Sequence, residues 1–260
     1  MLAAHRLLLT RMPTLYFHLR NLGRKVTGTR RRQRRLFAEL VRRGDLVLDV
    51  GANIGEFTGA FRDLGARVVA VEPQPRLTAH LRTRFRTDPL VTVVATAVSD
   101  REGEATLYTT SADALATLEA TRANGGATGA GAELEWKDTI TVPLRTLDAI
   151  VAEHGVPALV KIDVEGHEPG VVKGLTAARP SVFFEVNQPG AATVIDTLAG
   201  RGYTDFYVRE GEQPDWVSRE PMTAARVAEY LAGSTGDHDC LALAPDATAD
   251  RRPAPARAGS

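Results

Sequence analysis

The sequence predicts an α/β fold in which a mostly parallel sheet is covered by helices on both faces. Between residues 46 and 98, short runs rich in valine alternate with stretches of helical periodicity. These runs are apolar throughout, and not only at every second position, which is typical of strands buried on both faces. The same alternation resumes after residue 146. We therefore expect a doubly wound sheet that binds its ligand at the carboxyl ends of the strands.

The first half of this pattern contains three strands and two helices. Residues 46–50 (LVLDV) predict a buried strand, and the helix that follows them ends near Gly65. Residues 67–73 predict the second strand, and residues 75–85 the second helix. Residues 91–98 (VTVVATAV) are one apolar run, so we predict that they form the third strand of the same sheet.

An insertion then interrupts the alternation. Residues 104–110 and 138–144 alternate like half-exposed strands, and we expect them to pair with each other. Between them, residues 111–137 are rich in glycine, alanine and threonine. No strand leads into these glycines, as a phosphate-binding loop would require, so we predict a flexible loop. A mobile flap over a substrate is one hypothesis for its role.

The second half returns to strands and helices. Thr146 is placed to cap a helix over residues 147–155. Residues 202–208 and 238–244 predict a closing pair of strands. The other predicted elements are strands at 158–164 and 181–186 and helices at 168–175, 191–200 and 223–233.

Composition indicates one large domain. The 260 residues are 43% hydrophobic and 25% charged, which suits a single core, and we place the domain at residues 36–244. The single cysteine, Cys240, excludes an intramolecular disulfide, and we expect a cytoplasmic protein. No apolar run is long enough to span a membrane. Residues 245–260 lack large apolar side chains, so we predict a disordered tail.

The net charge of zero hides a basic front end. Residues 1–35 contain ten Lys or Arg and no Asp or Glu. We expect a helical extension with a solvated basic face that leads into the apolar side chains of Leu36, Phe37 and Leu40. Weak contact with an anionic membrane surface is the alternative. No aromatic side chains are interleaved with the arginines of residues 30–35, so we expect no nucleic-acid partner.

The residues that follow the first strand indicate a nucleotide-like ligand. Gly51 and Gly55 allow the backbone to approach a ligand closely and allow the next helix to pack tightly. Glu72 ends the second strand 21 residues beyond Gly51, the spacing at which a carboxylate binds the hydroxyls of a ribose. We therefore predict a bound adenosine group.

The spacing of the glycines favours one cofactor over another. The dinucleotide fingerprint is GxGxxG, but residues 51–55 read GANIG, with Asn53 where a second glycine would stand. A pyrophosphate needs bare backbone at that position, whereas the amide of Asn53 can bind an amino-acid tail. This difference favours S-adenosylmethionine over NAD.

Six motifs in this order resemble the FkbM family of S-adenosylmethionine-dependent methyltransferases. They are DVGANIGEFT, AVEP, TAVSD, VPLRTLDAI, VKIDVEGHEPGVVKGL and FFEVN, and they fall between residues 36 and 187. The resemblance implies a class I methyltransferase fold, a Rossmann-like three-layer sandwich with a mostly parallel seven-stranded sheet and an antiparallel last strand. It also implies O-methylation of a hydroxyl on a sugar or natural product.

The resemblance assigns the cofactor site residue by residue. Asp49, Gly51, Asn53 and Gly55 match the first cofactor motif, and Glu72 matches the acid that binds the ribose. The remaining two matches are Ala97, near the adenine, and Asp163, beside the methionine end of the cofactor.

The base that removes the hydroxyl proton is predicted from chemistry. Methyl transfer to oxygen needs precise positioning and a proton acceptor. His167 is our candidate for that base, because histidine changes protonation near neutral pH. The alternative for His167 is a helix-capping or surface role. Asp163 and Glu165 are candidates to orient the hydroxyl, and we expect no metal.

Two other functions remain open on the sequence alone. The same strand and glycine pattern permits an NAD(P)-dependent oxidoreductase. The basic front end permits a noncatalytic nucleotide-binding or membrane-associated module. For the methyltransferase, which is the function we prefer, the expected methyl acceptor is a hydroxylated small molecule or glycan.

Overall fold

The computed structural model describes residues 29–110, 116–118, 136–186, 190–211, 213, 215–218, 220–248 and 251–253. Its helices are α1 (Thr29–Phe37), α2 (Glu56–Asp63), α3 (Pro75–Arg84), α4 (Leu147–His154), α5 (Glu168–Lys173), α6 (Ala191–Gly200) and α7 (Ala224–Gly233). Its strands are β1 (Leu46–Val50), β2 (Arg67–Val71), β3 (Val91–Val94), β4 (Ala97–Ser99), β5 (Gly103–Thr110), β6 (Ala116–Thr117), β7 (Trp136–Thr146), β8 (Leu159–Ile162), β9 (Ser181–Val186), β10 (Phe206–Glu210) and β11 (His238–Ala242).

The main sheet confirms the predicted α/β class. It has seven strands in the order β10-β11-β9-β8-β1-β2-β3. Strands β3, β2, β1, β8 and β9 pair in parallel. Strand β11, the last in the chain, lies antiparallel between β9 and β10. The strand order reverses between β1 and β8, and this switch point is where such sheets bind ligands.

Helices cover both faces because the strands are apolar on both sides. On one face, Leu48 and Val50 pack in a core with side chains of α4, α5, α6 and α7. On the other face, Val47 packs with the phenylalanines of α1 and α2. Each core side chain removes apolar surface from water, which is the main favourable term in folding. The three layers match the predicted sandwich.

The predicted third strand is wrong in its second half. Residues 91–94 join the main sheet as β3, but residues 97–99 form β4, which pairs in parallel with β7 in a separate sheet. The hydroxyl of Thr96 donates to the carbonyl of Pro143 at 2.9 Å, at the point where the chain passes from one sheet to the other. An apolar run does not mark such a change of sheet, because both halves are partly or fully buried.

The insertion supplies the second sheet, whose order is β4-β7-β5-β6. Strands β5 and β7 are antiparallel, which confirms the predicted pairing of residues 104–110 with 138–144. Strand β6 lies within the Gly-rich segment and pairs with β5. The rest of the predicted flexible loop, at residues 111–115 and 119–135, lies outside the described residues.

The two ends of the described chain lie against the domain. Arg251 donates two hydrogen bonds to the carboxylate of Asp45, at 2.7 and 3.0 Å. Of the tail predicted to be disordered, residues 245–248 and 251–253 are described, and residues 249–250 and 254–260 lie outside the described residues. Of the basic front end, residues 1–28 lie outside the described residues, and four arginines of α1 (Arg31, Arg32, Arg34 and Arg35) are exposed. Among the described helices, none has the length and apolar character of a membrane span.

Helix α1 is anchored by Phe37. This side chain is 0% exposed, and its ring packs edge-on against Phe61 at 4.9 Å and Phe183 at 5.0 Å between ring centroids. We expect Phe37→Ala to lower the free energy of unfolding by roughly 3–5 kcal/mol, because it leaves a cavity in this core. Urea denaturation measures the change. The exposed control, Arg31→Ala, is expected to change it by less than about 0.5 kcal/mol. Equal stabilities of the two variants would contradict this packing.

Candidate functional site

Two loops meet at the switch point of the sheet. The first loop, residues 51–55, follows β1, and the second loop, residues 163–167, follows β8. Gly51 has a φ of +76°, and a Cβ atom there would lie 1.8 Å from the carbonyl oxygen of Asp163. The loops are therefore in direct backbone contact, which any side chain at Gly51 would prevent.

A buried lysine joins these loops. The Nζ atom of Lys161 donates to the carbonyl of Gly51 at 3.1 Å. It also lies 3.3 Å from Asp163 Oδ2 and 3.5 Å from Asp49 Oδ1. Burial alone would lower the pKa of Lys161, but the carboxylates of Asp163 and Asp49 outweigh it and raise that pKa. The ammonium group is therefore charged and holds both loops.

Sequence reasoning missed Lys161, although a signal was present. Lysine interrupts the apolar run of the fourth predicted strand. A lysine in a strand covered on both faces must have partners, because an unpaired buried charge is very costly. The nearby acidic residues of the two loops were the available partners.

Asp49 lies away from the lining of the cavity described below, and its predicted cofactor role stays a prediction. Its side chain is 0% exposed. Its Oδ2 atom accepts a hydrogen bond of 2.6 Å from the hydroxyl of Thr58, and its Oδ1 atom faces Lys161. Strand alternation directs Asp49 beneath the first loop, so it supports Lys161 and does not reach the cavity.

Gly55 also lies away from the cavity lining. It precedes α2 with a φ of +81°. A Cβ atom there would lie 2.7 Å from Leu81 and 2.8 Å from Phe85. Gly55 therefore allows α2 to pack closely against α3. This agrees with the prediction that glycine at this position lets the next helix pack tightly. Its predicted contact with the cofactor stays a prediction.

A cavity with about 650 Å³ of empty space opens beside the two loops. One wall is the end of the main sheet, and the opposite wall is the second sheet with Leu107 and residues 116–118. The predicted site residues that line it are Gly51, Asn53, Glu72, Ala97, Asp163, Glu165 and His167. The structure thus brings five of the seven predicted cofactor residues and all three predicted catalytic residues to one cavity.

Glu72 is a buried acid at the cavity wall, only 3% exposed. Its Oε2 atom accepts the backbone N–H of Asn53 at 2.9 Å, and its Oε1 atom accepts that of Gln74 at 3.0 Å. Burial raises the pKa of Glu72 to about 7, against the lowering effect of these two hydrogen bonds. Each carboxylate oxygen can accept a further hydrogen bond, so the group suits a pair of ligand hydroxyls.

Asn53 shapes the first loop. It has a φ of +50°, a left-handed conformation that asparagine tolerates better than most residues. Its side-chain oxygen accepts the backbone N–H of Ile54 at 2.8 Å, and its own N–H binds Glu72. Asn53, which was predicted to bind the ligand, therefore also fixes the first loop: its side chain binds the backbone of Ile54, and its backbone N–H binds Glu72.

The second loop is held by Glu168, which is 2% exposed. Its Oε1 atom accepts the backbone N–H groups of Val164 at 3.1 Å and Gly166 at 3.2 Å. Between them, Glu165 has a left-handed φ of +58°, and the hydroxyl of Thr117 donates to its carbonyl at 3.0 Å. Non-glycine residues in this conformation are concentrated at functional sites.

His167 lies at the end of the second loop, immediately before α5. It occupies the N-cap position of that helix, as the capping alternative expected, and its carbonyl accepts the backbone N–H of Gly170 at 3.0 Å, but its side chain makes no capping hydrogen bond and is left for other contacts. Its Nε2 atom lies 2.9 Å from the hydroxyl oxygen of Ser99. Among the described residues, no group of three or more His, Cys, Asp or Glu side chains is arranged to hold a metal ion.

The family model of the methyltransferase FkbM domain matches residues 49–204. This chain belongs to the FkbM methyltransferase family. The match covers both loops and the second sheet. An FkbM-family chain is an S-adenosylmethionine-dependent methyltransferase. This assignment favours the predicted methyltransferase over the NAD(P)-dependent oxidoreductase.

Two curated relatives of this FkbM-family chain carry methyltransferase names. The chain is 36% identical over 194 residues to the 31-O-demethyl-FK506 methyltransferase FkbM of Streptomyces tacrolimicus, covering 63% of this chain and 74% of that protein. It is 31% identical over 154 residues to the hexuronic acid methyltransferase AglP of Haloferax volcanii, covering 58% of this chain and 59% of that protein.

Solved methyltransferase structures also resemble this FkbM-family protein. A TehB-like S-adenosylmethionine-dependent methyltransferase from Corynebacterium glutamicum has a TM-score of 0.46 at 10% identity, covering 89% of this chain and 97% of that chain. A precorrin-6y C5,15-methyltransferase from Geobacter metallireducens has a TM-score of 0.43 at 12% identity, covering 82% and 87%.

The buried cation of this methyltransferase can be tested by its removal. Lys161→Met keeps the length of the side chain but leaves Asp49 and Asp163 without their counter-charge. We expect the free energy of unfolding to fall by roughly 3–5 kcal/mol, as when one partner of a buried ion pair is removed. Urea denaturation measures it, with the exposed Lys173→Met as the matched control. A loss no larger than that of Lys173→Met would show that the two loops do not depend on Lys161.

Proposed function

We propose that this protein O-methylates a hydroxyl group of a sugar or natural product. One observation carries the proposal: Glu72, suited to a ribose, and His167, suited to accept a hydroxyl proton, line the same cavity. A methyl donor and its acceptor must meet in one enclosed space, because the reaction is an in-line displacement. The FkbM family assignment supplies the reaction class.

The residues of the cavity fit S-adenosylmethionine. Glu72 would accept hydrogen bonds from the two ribose hydroxyls, and the apolar Ala97 and Val98 would flank the adenine. Asp163, whose side chain is 37% exposed, would face the ammonium group of the methionine end. The cofactor is cationic at its sulfonium and ammonium groups, so a cavity edged with Glu72, Asp163 and Glu165 complements its charge. Bound S-adenosylmethionine would supply a methyl group activated by the sulfonium.

The chain's own contribution is orientation and proton transfer. Asp163 and Glu165 would accept hydrogen bonds from the acceptor and hold its reacting hydroxyl toward the methyl group. His167 would take the proton of that hydroxyl, so that the oxygen can form its new bond to carbon without developing an uncompensated positive charge. Leu107 and Leu118 line the cavity on the side of the second sheet and would shield the reacting groups from water.

The charge of the second loop favours a neutral acceptor. The names of the two curated relatives specify 31-O-demethyl-FK506 for one and a hexuronic acid for the other. In this chain Asp163 and Glu165 both line the cavity, where they would face the acceptor, and Lys161 is buried beneath Asp163. A carboxylate on the acceptor would be repelled there, so we propose a neutral polyhydroxylated acceptor.

The cofactor assignment predicts a selective loss of affinity. In Glu72→Gln the carboxylate is replaced by an amide of the same shape, which binds the ribose hydroxyls more weakly. We expect the dissociation constant for S-adenosylhomocysteine, measured by titration calorimetry, to rise at least about tenfold, since a hydrogen bond to a charged group contributes about 1.5–3 kcal/mol. The exposed Glu153→Gln is the control and should bind like the original protein. Binding of NAD but not of S-adenosylhomocysteine would overturn the proposal.

The base assignment predicts a loss of turnover with binding preserved. We expect His167→Ala to lower kcat by about 100-fold or more, which is the usual contribution of a positioned general base. Its affinity for S-adenosylhomocysteine should stay within about twofold, because the ribose and adenine contacts are unchanged. His154→Ala serves as the histidine control. Full activity of His167→Ala would remove it from the mechanism.

The acceptor for these assays is found by incubating the protein and labelled S-adenosylmethionine with an extract of the source organism. Mass spectrometry then identifies the molecule that gains the label. A labelled product whose methyl group is on carbon or nitrogen would contradict O-methylation.

A further inference from the structure

We propose that Ser99 is the positioning residue that sets the tautomer of His167, so that Nδ1 is the nitrogen that accepts the proton. The role in turnover rests on the proposed function, but the tautomer itself can be measured without it. Ser99 ends β4 and is 1% exposed. It therefore lies on a different strand from His167 and is brought to it only by the fold.

The hydrogen bonds of the Ser99 hydroxyl determine the assignment. Its oxygen lies 2.9 Å from His167 Nε2 and 3.2 Å from Asp100 Oδ1. A hydroxyl has one proton to donate, and a carboxylate can only accept. The Ser99 proton is therefore directed at Asp100, and the Ser99 oxygen accepts the proton of His167 Nε2. Neutral histidine carries one ring proton, so this arrangement leaves the lone pair on Nδ1.

Two glycines make room for this pair. A Cβ atom at Gly170 would lie 2.3 Å from His167 Nε2, and one at Gly174 would lie 2.2 Å from the carbonyl oxygen of Ser99. Neither glycine is among the residues with positive φ, so space and not backbone conformation requires them. Gly170 lies within α5, where glycine costs about 1 kcal/mol relative to alanine, whereas Gly174 directly follows that helix. The close packing of α5 against β4 and against the imidazole ring of His167 outweighs that cost.

The assignment gives the proton a defined path. As the acceptor's O–H bond breaks, its proton forms an N–H bond at Nδ1 of His167. The oxygen's electron pair forms the new C–O bond, while the C–S bond of the sulfonium breaks and leaves its electrons on sulfur. The resulting imidazolium is stabilised through Ser99 by the carboxylate of Asp100. This is the arrangement of base and orienting group that supports general-base catalysis elsewhere.

The test is nitrogen-15 NMR of the ring nitrogens in the full chain. His167 is one of six histidines, and its signals are assigned by their loss in His167→Asn. In the original protein, with the ring neutral, we expect the Nε2–H tautomer. In Ser99→Ala we expect a mixture of both tautomers. An Nδ1–H tautomer in the original protein would overturn the inference, whatever the activity.

Kinetic measurements distinguish a role of Ser99 in orienting the ring of His167 from a general role in stabilising the fold. We expect Ser99→Ala to lower kcat about tenfold, the value of roughly one hydrogen bond, with KM for S-adenosylmethionine unchanged. The double variant with His167→Ala should lose no more than His167→Ala alone, because Ser99 acts only through that ring. Ser99→Thr, which keeps the hydroxyl, should restore the tautomer. An unchanged tautomer and rate in Ser99→Ala would also overturn the inference. Absence of methyl transfer to any acceptor would instead refute the proposed function and leave the NMR result intact.

Discussion

The site depends on one buried ammonium group. Lys161 lies between Asp49 below and Asp163 above, and it also binds the carbonyl of Gly51. Without this cation, two carboxylates would face each other at the end of adjacent strands, with a large desolvation cost. The same contacts hold the first and second loops together. Stability of the sheet end and geometry of the cavity therefore have a common origin.

Close backbone approach is the second constraint. Gly51 lies against the carbonyl of Asp163, Gly170 against the ring of His167, and Gly174 against the carbonyl of Ser99. In each case a methyl group would occupy space that another part of the site already fills. These three contacts bring β1, β4 and β8 to one place around the cavity. The glycines in the motif at residues 164–174 (VEGHEPGVVKG) are therefore required by close packing as well as by the chemistry of the site.

Much of the fold could be predicted from the sequence because the signals are local. Strand β1 has the predicted bounds, Thr146 caps α4 as expected, and β5 pairs with β7. The division of residues 91–98 between two sheets was missed, because burial alone does not say which sheet buries a strand. The contact of Arg251 with Asp45 was also not predicted, because it joins residues that are far apart in the chain.

Site residues could be predicted from the sequence where they follow the end of a strand. They were harder to predict where the direction of the side chain determines whether the residue reaches the cavity. Glu72, Asp163 and His167 reach the cavity as their positions suggested. Asp49 does not line it, since a single step along β1 turns its side chain toward Lys161 and Thr58. The partners of Lys161 and Ser99 were missed because they are distant in the chain; the lysine within an apolar strand indicated that a partner exists, but not which residue it is.

The second sheet is joined to the second loop by a hydrogen bond. Thr117, in the segment that interrupts the α/β pattern, donates to the carbonyl of Glu165, a residue already in a left-handed conformation. Leu107 and residues 116–118 face the cavity from the same sheet. A change in the insertion that suits a different acceptor would therefore also shift Glu165, and through the second loop His167. Under the proposed function, this hydrogen bond would link the choice of acceptor to the position of the base, while Lys161 and the contact of Gly51 with Asp163 join the same loop to the side of the cavity at Glu72.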